Sequence, residues 1–187
     1  MRVGGGKAKG SQWERDCGKA ISLWLTHGER PDIMSRNVLS GGSFTNAENA
    51  GKVSSRMPGD MMAAHPLAFR FLSHFSIECK HLKSLNLDAY LFDPRMQTPF
   101  GHIITLARRQ AQSINLQYMV IAKQNNREAV IFMEYSIGFH VLNNPKKTAR
   151  TRLQPMYHGL HKDTVFMMRF KDFLAWTDPD LFLEALS

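Results

Sequence analysis

The chain has 187 residues, enough for one full-sized core and too few for two comfortable ones. Hydrophobic residues make up 43% and charged residues 21%, which excludes collagen-like, coiled-coil and disordered compositions. Lys and Arg number 24 against 16 Asp and Glu, a formal charge of +8 that favours polyanionic partners without naming one.

No apolar run approaches the roughly 18 residues a membrane span needs, since Arg70, His74 and Lys123 interrupt the candidates. The Gly- and Lys-rich start lacks the apolar centre of a secretory signal. Cys17 and Cys79 read as small buried hydrophobes rather than a disulfide or a zinc cage. A cytoplasmic protein is expected.

In chain order, residues 1–10 read as a flexible basic arm and residues 11–27 as a helix, with Trp13, Cys17, Ala20, Ile21, Trp24 and Leu25 at helical spacing. Ser11 is the expected N-cap, and Gly28 follows the helix end. A short strand is expected within residues 30–38, followed by a Gly-containing polar loop over 41–57. Two apolar segments, 59–64 and 69–80, flank His65-Pro66 and read as a hairpin.

Thr98-Pro99 is a cap followed by proline at the first helical position, so a helix should run from there towards Asn115, with Arg108 and Arg109 on its basic side. Residues 118–122 and 129–134 form a second hairpin around Gln124-Asn125-Asn126. The stretch 143–163 is polar and basic. Beyond it come a strand over 164–170 and two short helices over 171–176 and 179–186, the second capped by Asp178. The organisation expected is a basic arm (1–10), a main domain (11–142), and a basic loop with a C-terminal extension packed on that domain (143–187). It amounts to an α/β fold: a mixed central sheet flanked by helices, with a small C-terminal α/β extension.

The chemistry centres on Ile77-Glu78-Cys79-Lys80. Side chains alternate across a strand, so Glu78 and Lys80 share one face. Hairpin pairing could bring the carboxylate of Asp60 beside Glu78, and two convergent carboxylates form a hard oxygen site suited to Mg²⁺, with Mn²⁺ as a substitute. A metal there polarises a phosphoryl group and lowers the pKa of its water, while Lys80 orients or deprotonates that water. The competing reading is a surface salt bridge, because Glu-x-Lys alone is common by chance. Glu14 also has two readings. Ser11-x-x-Glu14 is a capping box, yet Glu14 lines up with Gly18, Ile21 and Leu25 at the edge of the buried stripe, where it could be a third carboxylate of the site.

Elsewhere Gln110, Gln112 and Lys123 read most simply as exposed polar groups, and His158-x-x-His161 lacks the companion ligands of a zinc site. Lys146, Lys147, Arg150 and Arg152 form either a phosphate-gripping surface or an exposed basic loop.

Four ordered motifs carry a family resemblance: Lys9-Gly10-Ser11-Gln12-Trp13-Glu14-Arg15, Arg36-Asn37-Val38-Leu39-Ser40-Gly41, Gly59-Asp60, and Glu78-Cys79-Lys80. Together they resemble the PD-(D/E)XK nuclease superfamily over roughly residues 7–125, and are most similar to archaeal-type Holliday junction resolvases and related phage endonucleases. The resemblance implies a restriction-endonuclease-like α-βββ-α-β core and a Mg²⁺-dependent endodeoxyribonuclease, structure-selective in the manner of a resolvase, acting on branched DNA as a homodimer in the host cytoplasm if phage-encoded. It places Asp60, Glu78 and the backbone carbonyl of Cys79 on the metal and Lys80 beside the water. Glu14, Arg36 and Ser40 then contact metal-bound water or the phosphate. Two alternatives stand beside it: a catalytically silent DNA-binding or assembly protein on the nuclease fold, and a restriction-like or end-processing nuclease of the same superfamily.

Overall fold

The computed structural model describes residues 5–37, 59–86, 98–143, 156–158 and 165–186. Ser40, the 41–57 loop, and Lys146, Lys147, Arg150 and Arg152 lie outside the described residues.

Helix α1 (Gly5–Leu25) buries Trp13, Cys17, Ile21, Trp24 and Leu25, the stripe that the 3.6-residue spacing predicts. It begins six residues earlier than expected, so Ser11 lies inside the helix and cannot be its N-cap. Strand β1 (Met34–Arg36) pairs antiparallel with β2 (Met61–Ala63), Arg36 opposite Met61. Ser22 ties this pair to α1: its hydroxyl donates to the Gly18 carbonyl at 2.7 Å and accepts the Met34 amide at 3.0 Å. Gly18 permits the close approach, because a Cβ there would stand 3.3 Å from the Met34 carbonyl oxygen.

The expected hairpin over 59–80 is replaced by a helix. Residues 66–72 form α2 (Pro66–Leu72), with Pro66 in its first turn and the His65 ring accepting the Leu67 amide as a cap. Phe71 and Leu72 are buried while Phe69 stands exposed, the one-sided pattern of a surface helix rather than a strand. Strand β3 (Phe75–Leu82) starts afterwards and does not pair in register with β2. Helix α3 (Pro99–Gln112), capped by Thr98 as predicted, crosses over to β4 (Gln117–Gln124), which runs parallel to β3. Strand β5 (Val130–Glu134) completes the expected hairpin with β4. It leads into α4 (Tyr135–Asn143), a helix the sequence reading did not anticipate.

The C-terminal residues are not peripheral. Strands β6 (Met156–His158) and β7 (Val165–Arg169) enter the main sheet, whose order is β3-β4-β5-β7-β6, with β7 bonded on both sides. Helices α5 (Phe170–Trp176) and α6 (Pro179–Glu184) follow. Helices lie on both faces of the sheet. On one, α1, α2, α4, α5 and α6 contribute to a core with Met119, Ile121, Ile131, Met133 and Phe166; on the other, α3 covers Tyr118, Val120, Ala122 and Phe132. Burial of both faces explains why residues 118–122 read as an unbroken apolar run. Trp24 joins the C-terminal helices to α1: its indole N–H donates to the Thr177 carbonyl at 2.9 Å, and its ring meets Phe71, Phe173 and Phe182.

Removing β6, β7, α5 and α6 by ending the chain after Asn143 strips the ladder partner of β5 and uncovers the Trp24 cluster. Such a chain is expected to show no cooperative thermal transition in circular dichroism. A sharp transition would mean that the C-terminal residues are an appendage.

Candidate functional site

Asp60 is placed by backbone bonds on both sides. Its amide donates to the Ile77 carbonyl at 2.7 Å, and its own carbonyl accepts the Asn37 amide at 2.7 Å, so it bridges the residue after β1 to the body of β3 without a ladder. Gly59 makes this possible. Its φ of +102° lies in the left-handed region, and a Cβ there would stand 2.9 Å from the Ile77 carbonyl oxygen. The Asn37 side-chain amide holds the Gly59 carbonyl at 3.1 Å.

Asp60 is 6% exposed as a residue, and its Oδ2 accepts the Cys79 amide at 2.8 Å. This bond gives a buried carboxylate the partner it needs and fixes its direction. It leaves Oδ1 with no hydrogen bond from the described residues. On β3, alternation brings Glu78 and Lys80 to the same face as expected. The Lys80 ammonium pairs with Glu78 and lies 3.9 Å from Asp60 Oδ2. The two carboxylates and the amine thus converge, though through the bridging role of Asp60 and not through hairpin pairing.

Burial raises the Glu78 carboxyl above its ordinary 4.5; the Asp60 charge adds to this, Lys80 opposes it, and Glu14 contributes a smaller push upward. Burial would lower the Lys80 ammonium, but Glu78 and then Asp60 outweigh it and hold it above its ordinary 10.5. Burial also drives the Cys79 thiol well above 9.0, with Cys17 beside it, and both cysteines are buried free thiols.

Glu14 pairs with Arg36 of β1. With Ser11 inside the helix, the capping-box reading fails, and Glu14 lies near enough to Glu78 for its charge to act there. Sequence spacing could not foresee that Arg36 is its partner, because the pair joins residues 22 apart on different elements. Asn37, which holds both Gly59 and Asp60, was likewise missed; only its place after Arg36 in the second motif hinted at it.

Other candidates take structural parts. Arg108 is not on a solvated basic side: it bonds Glu134 at 2.9 Å and stacks over the Tyr118 ring. Lys123 lies 5.1 Å from the centre of the Trp13 ring.

The order α1-β1-β2-α2-β3-α3-β4, with the acidic pair and lysine converging at β3, agrees with what comparison of the whole chain shows. Residues 5–183 match the family described as "Phage putative PDDEXK endonuclease". The chain belongs to this PDDEXK family. The match takes in β7, α5 and most of α6, in keeping with their place in the sheet and core. No curated protein and no solved structure matches the chain.

Membership in a PDDEXK family brings the question of a divalent metal. Among the described residues no group of three His, Cys, Asp or Glu side chains is arranged to hold one. The donors present still suit a hard cation: two carboxylates, Asp60 close enough to raise the cost of ionising Glu78 and carrying an oxygen without a hydrogen bond from the described residues. Water and a main-chain carbonyl supply the remaining positions of such a site, since magnesium keeps several waters.

Because the folded state raises the Glu78 pKa, its ionisation opposes folding: the penalty is absent well below 4.5 and complete once pH has risen through the raised value. In metal-free buffer, Glu78→Gln is therefore expected to raise Tm at pH 8 by about 2–4 °C, the shift for roughly 1 kcal/mol in a chain of this size. The gain shrinks as pH falls towards 4. Calorimetry across that range checks this, and a Tm lowered at pH 8 contradicts it.

Proposed function

We propose that the chain is a Mg²⁺-dependent DNA endonuclease that hydrolyses phosphodiester bonds by in-line attack of water, with Mn²⁺ able to substitute. The observation that carries this reading is the convergence of Asp60, Glu78 and Lys80 at the end of a polar bridge between β1 and β3. Family membership supports the reaction class.

In this reading Asp60, Glu78 and the Cys79 carbonyl hold the metal, which when bound supplies Lewis-acid stabilisation of the phosphoryl oxygens and a more acidic water. The Cys79 amide fixes the direction of Asp60, leaving Oδ1 to face the ligand. Lys80 orients the attacking water and sets a positive charge beside the phosphate. The Glu14 and Arg36 pair completes the polar edge, Glu14 towards the water and Arg36 towards a non-bridging phosphate oxygen. Ser40, Lys146, Lys147, Arg150 and Arg152 are the further DNA contacts of this reading. A resolvase-like preference for branched DNA, action as a homodimer and a place in the cytoplasm belong to the same proposal.

Nicking of supercoiled plasmid in Mg²⁺ tests the reaction. Asp60→Ala and Lys80→Ala are each expected to lower the rate by about 10²-fold or more; cleavage unchanged in both refutes the site. Mg²⁺ should also raise the Tm of the wild-type protein, by linkage, and not that of Asp60→Asn.

Selectivity is tested with four-way junction, linear duplex and single-stranded DNA at one salt concentration, because non-specific affinity falls steeply with salt. Faster cutting of the junction is expected, and equal rates on all three remove the resolvase-like preference.

A further inference from the structure

We infer that the open cleft between α1 and β1 receives a second backbone phosphate, with its sugar, from the strand that is cut. This rests on the endonuclease reading and specifies how the substrate is held beyond the scissile bond. The cleft has a volume of about 360 Å³ and is lined by Arg15, Lys19, Pro31, Met34, Ser35 and Arg36. Three cationic residues therefore border one space.

Arg15 and Lys19 stand one helical turn apart and are both exposed. Arg15 donates to the neutral Gln12 amide oxygen at 2.9 Å, and neither it nor Lys19 pairs with a carboxylate among the described residues. Among the described residues Arg36 is answered by Glu14 through Nε, and its guanidinium carries further donors suited to a phosphate. An uncompensated positive charge at an open cleft calls for an anion. Most of the lining surface is apolar, Pro31 and Met34 forming part of its wall, and the volume exceeds what a bare phosphate fills. A phosphate joined to a deoxyribose meets both surfaces.

Position identifies which phosphate. Arg36 lies opposite Met61 in the β1–β2 ladder, and the next residue, Asn37, bonds the backbone of Asp60. The cleft thus abuts the proposed cutting site, and a strand lying across Asp60 reaches it with a neighbouring phosphate. Gly18 sets the width of this junction by letting β1 close on α1.

The test uses the full chain carrying Asp60→Asn, so that DNA is bound without being cut, and follows a fluorescein-labelled duplex by anisotropy over a salt series. Adding Arg15→Gln with Lys19→Gln should weaken binding and flatten the slope of log affinity against log salt by about 0.9, the value for one phosphate contact. Lys171→Gln, an exposed lysine that pairs with Glu128, is the control expected to leave the slope unchanged. Once the cut is mapped by the wild-type chain, a neutral methylphosphonate at the adjacent linkage should weaken binding to the Asp60→Asn protein and not to the triple variant. An unchanged slope in the triple variant, or equal weakening by the methylphosphonate in both proteins, overturns this inference alone. Failure of the Asp60→Asn protein to bind DNA overturns the endonuclease reading along with it.

Discussion

The bridge made by Asp60 is the constraint on which the rest of the site depends. Its amide is spent on Ile77, its carbonyl on Asn37 and its Oδ2 on the Cys79 amide, so one residue joins two strands and a carboxylate is fixed in a nearly dry position. A buried carboxylate without such partners would be strongly unfavourable. With them, its second oxygen keeps unused capacity beside Glu78 and Lys80. The left-handed Gly59 is the local feature that admits the close approach to β3.

Around that bridge the charges are arranged at a cost to the fold. Glu78 is driven towards its neutral form by burial and by Asp60, and Lys80 offsets only part of this. A hydrophobic core built for stability alone would place no such group there. Perturbed titratable groups gathered at one edge mark functional sites more often than structural ones, and here they accompany hard oxygen donors within a PDDEXK family member. The polar edge continues through Glu14 and Arg36 into the α1–β1 cleft, which in the proposed reading makes the site a path for a polyanionic strand.

The sheet supports this edge from behind. Parallel pairing of β3 with β4 requires the α3 crossover, and both faces are covered by helices. The sheet reaches the C-terminal residues through β7, whose ladder with β5 makes the last part of the chain a component of the same core. The aromatic cluster around Trp24 links the first helix to the last.

Local signals were legible wherever a residue's neighbours in sequence are its neighbours in space. The α1 stripe, the Thr98-Pro99 start of α3, the β4–β5 hairpin and the Asp178 cap all follow from period, cap and turn chemistry. So does the shared face of Glu78 and Lys80. The same local logic misread Ser11 as a cap, because a polar residue at a plausible start cannot reveal that the helix begins earlier. It also misread residues 69–72 as strand, since a short apolar run carries no decisive period.

What the amino-acid sequence determined by itself was the α/β class, the ordered motifs and the residue types able to bind a hard cation. Tertiary structure alone decided that Asp60 reaches β3 across a helix, that Glu14 is answered by Arg36, and that β7 lies inside the sheet. The physical reason is that these contacts join residues far apart in the chain, and their geometry is fixed by packing and by the need to satisfy buried polar groups, neither of which leaves a periodic trace.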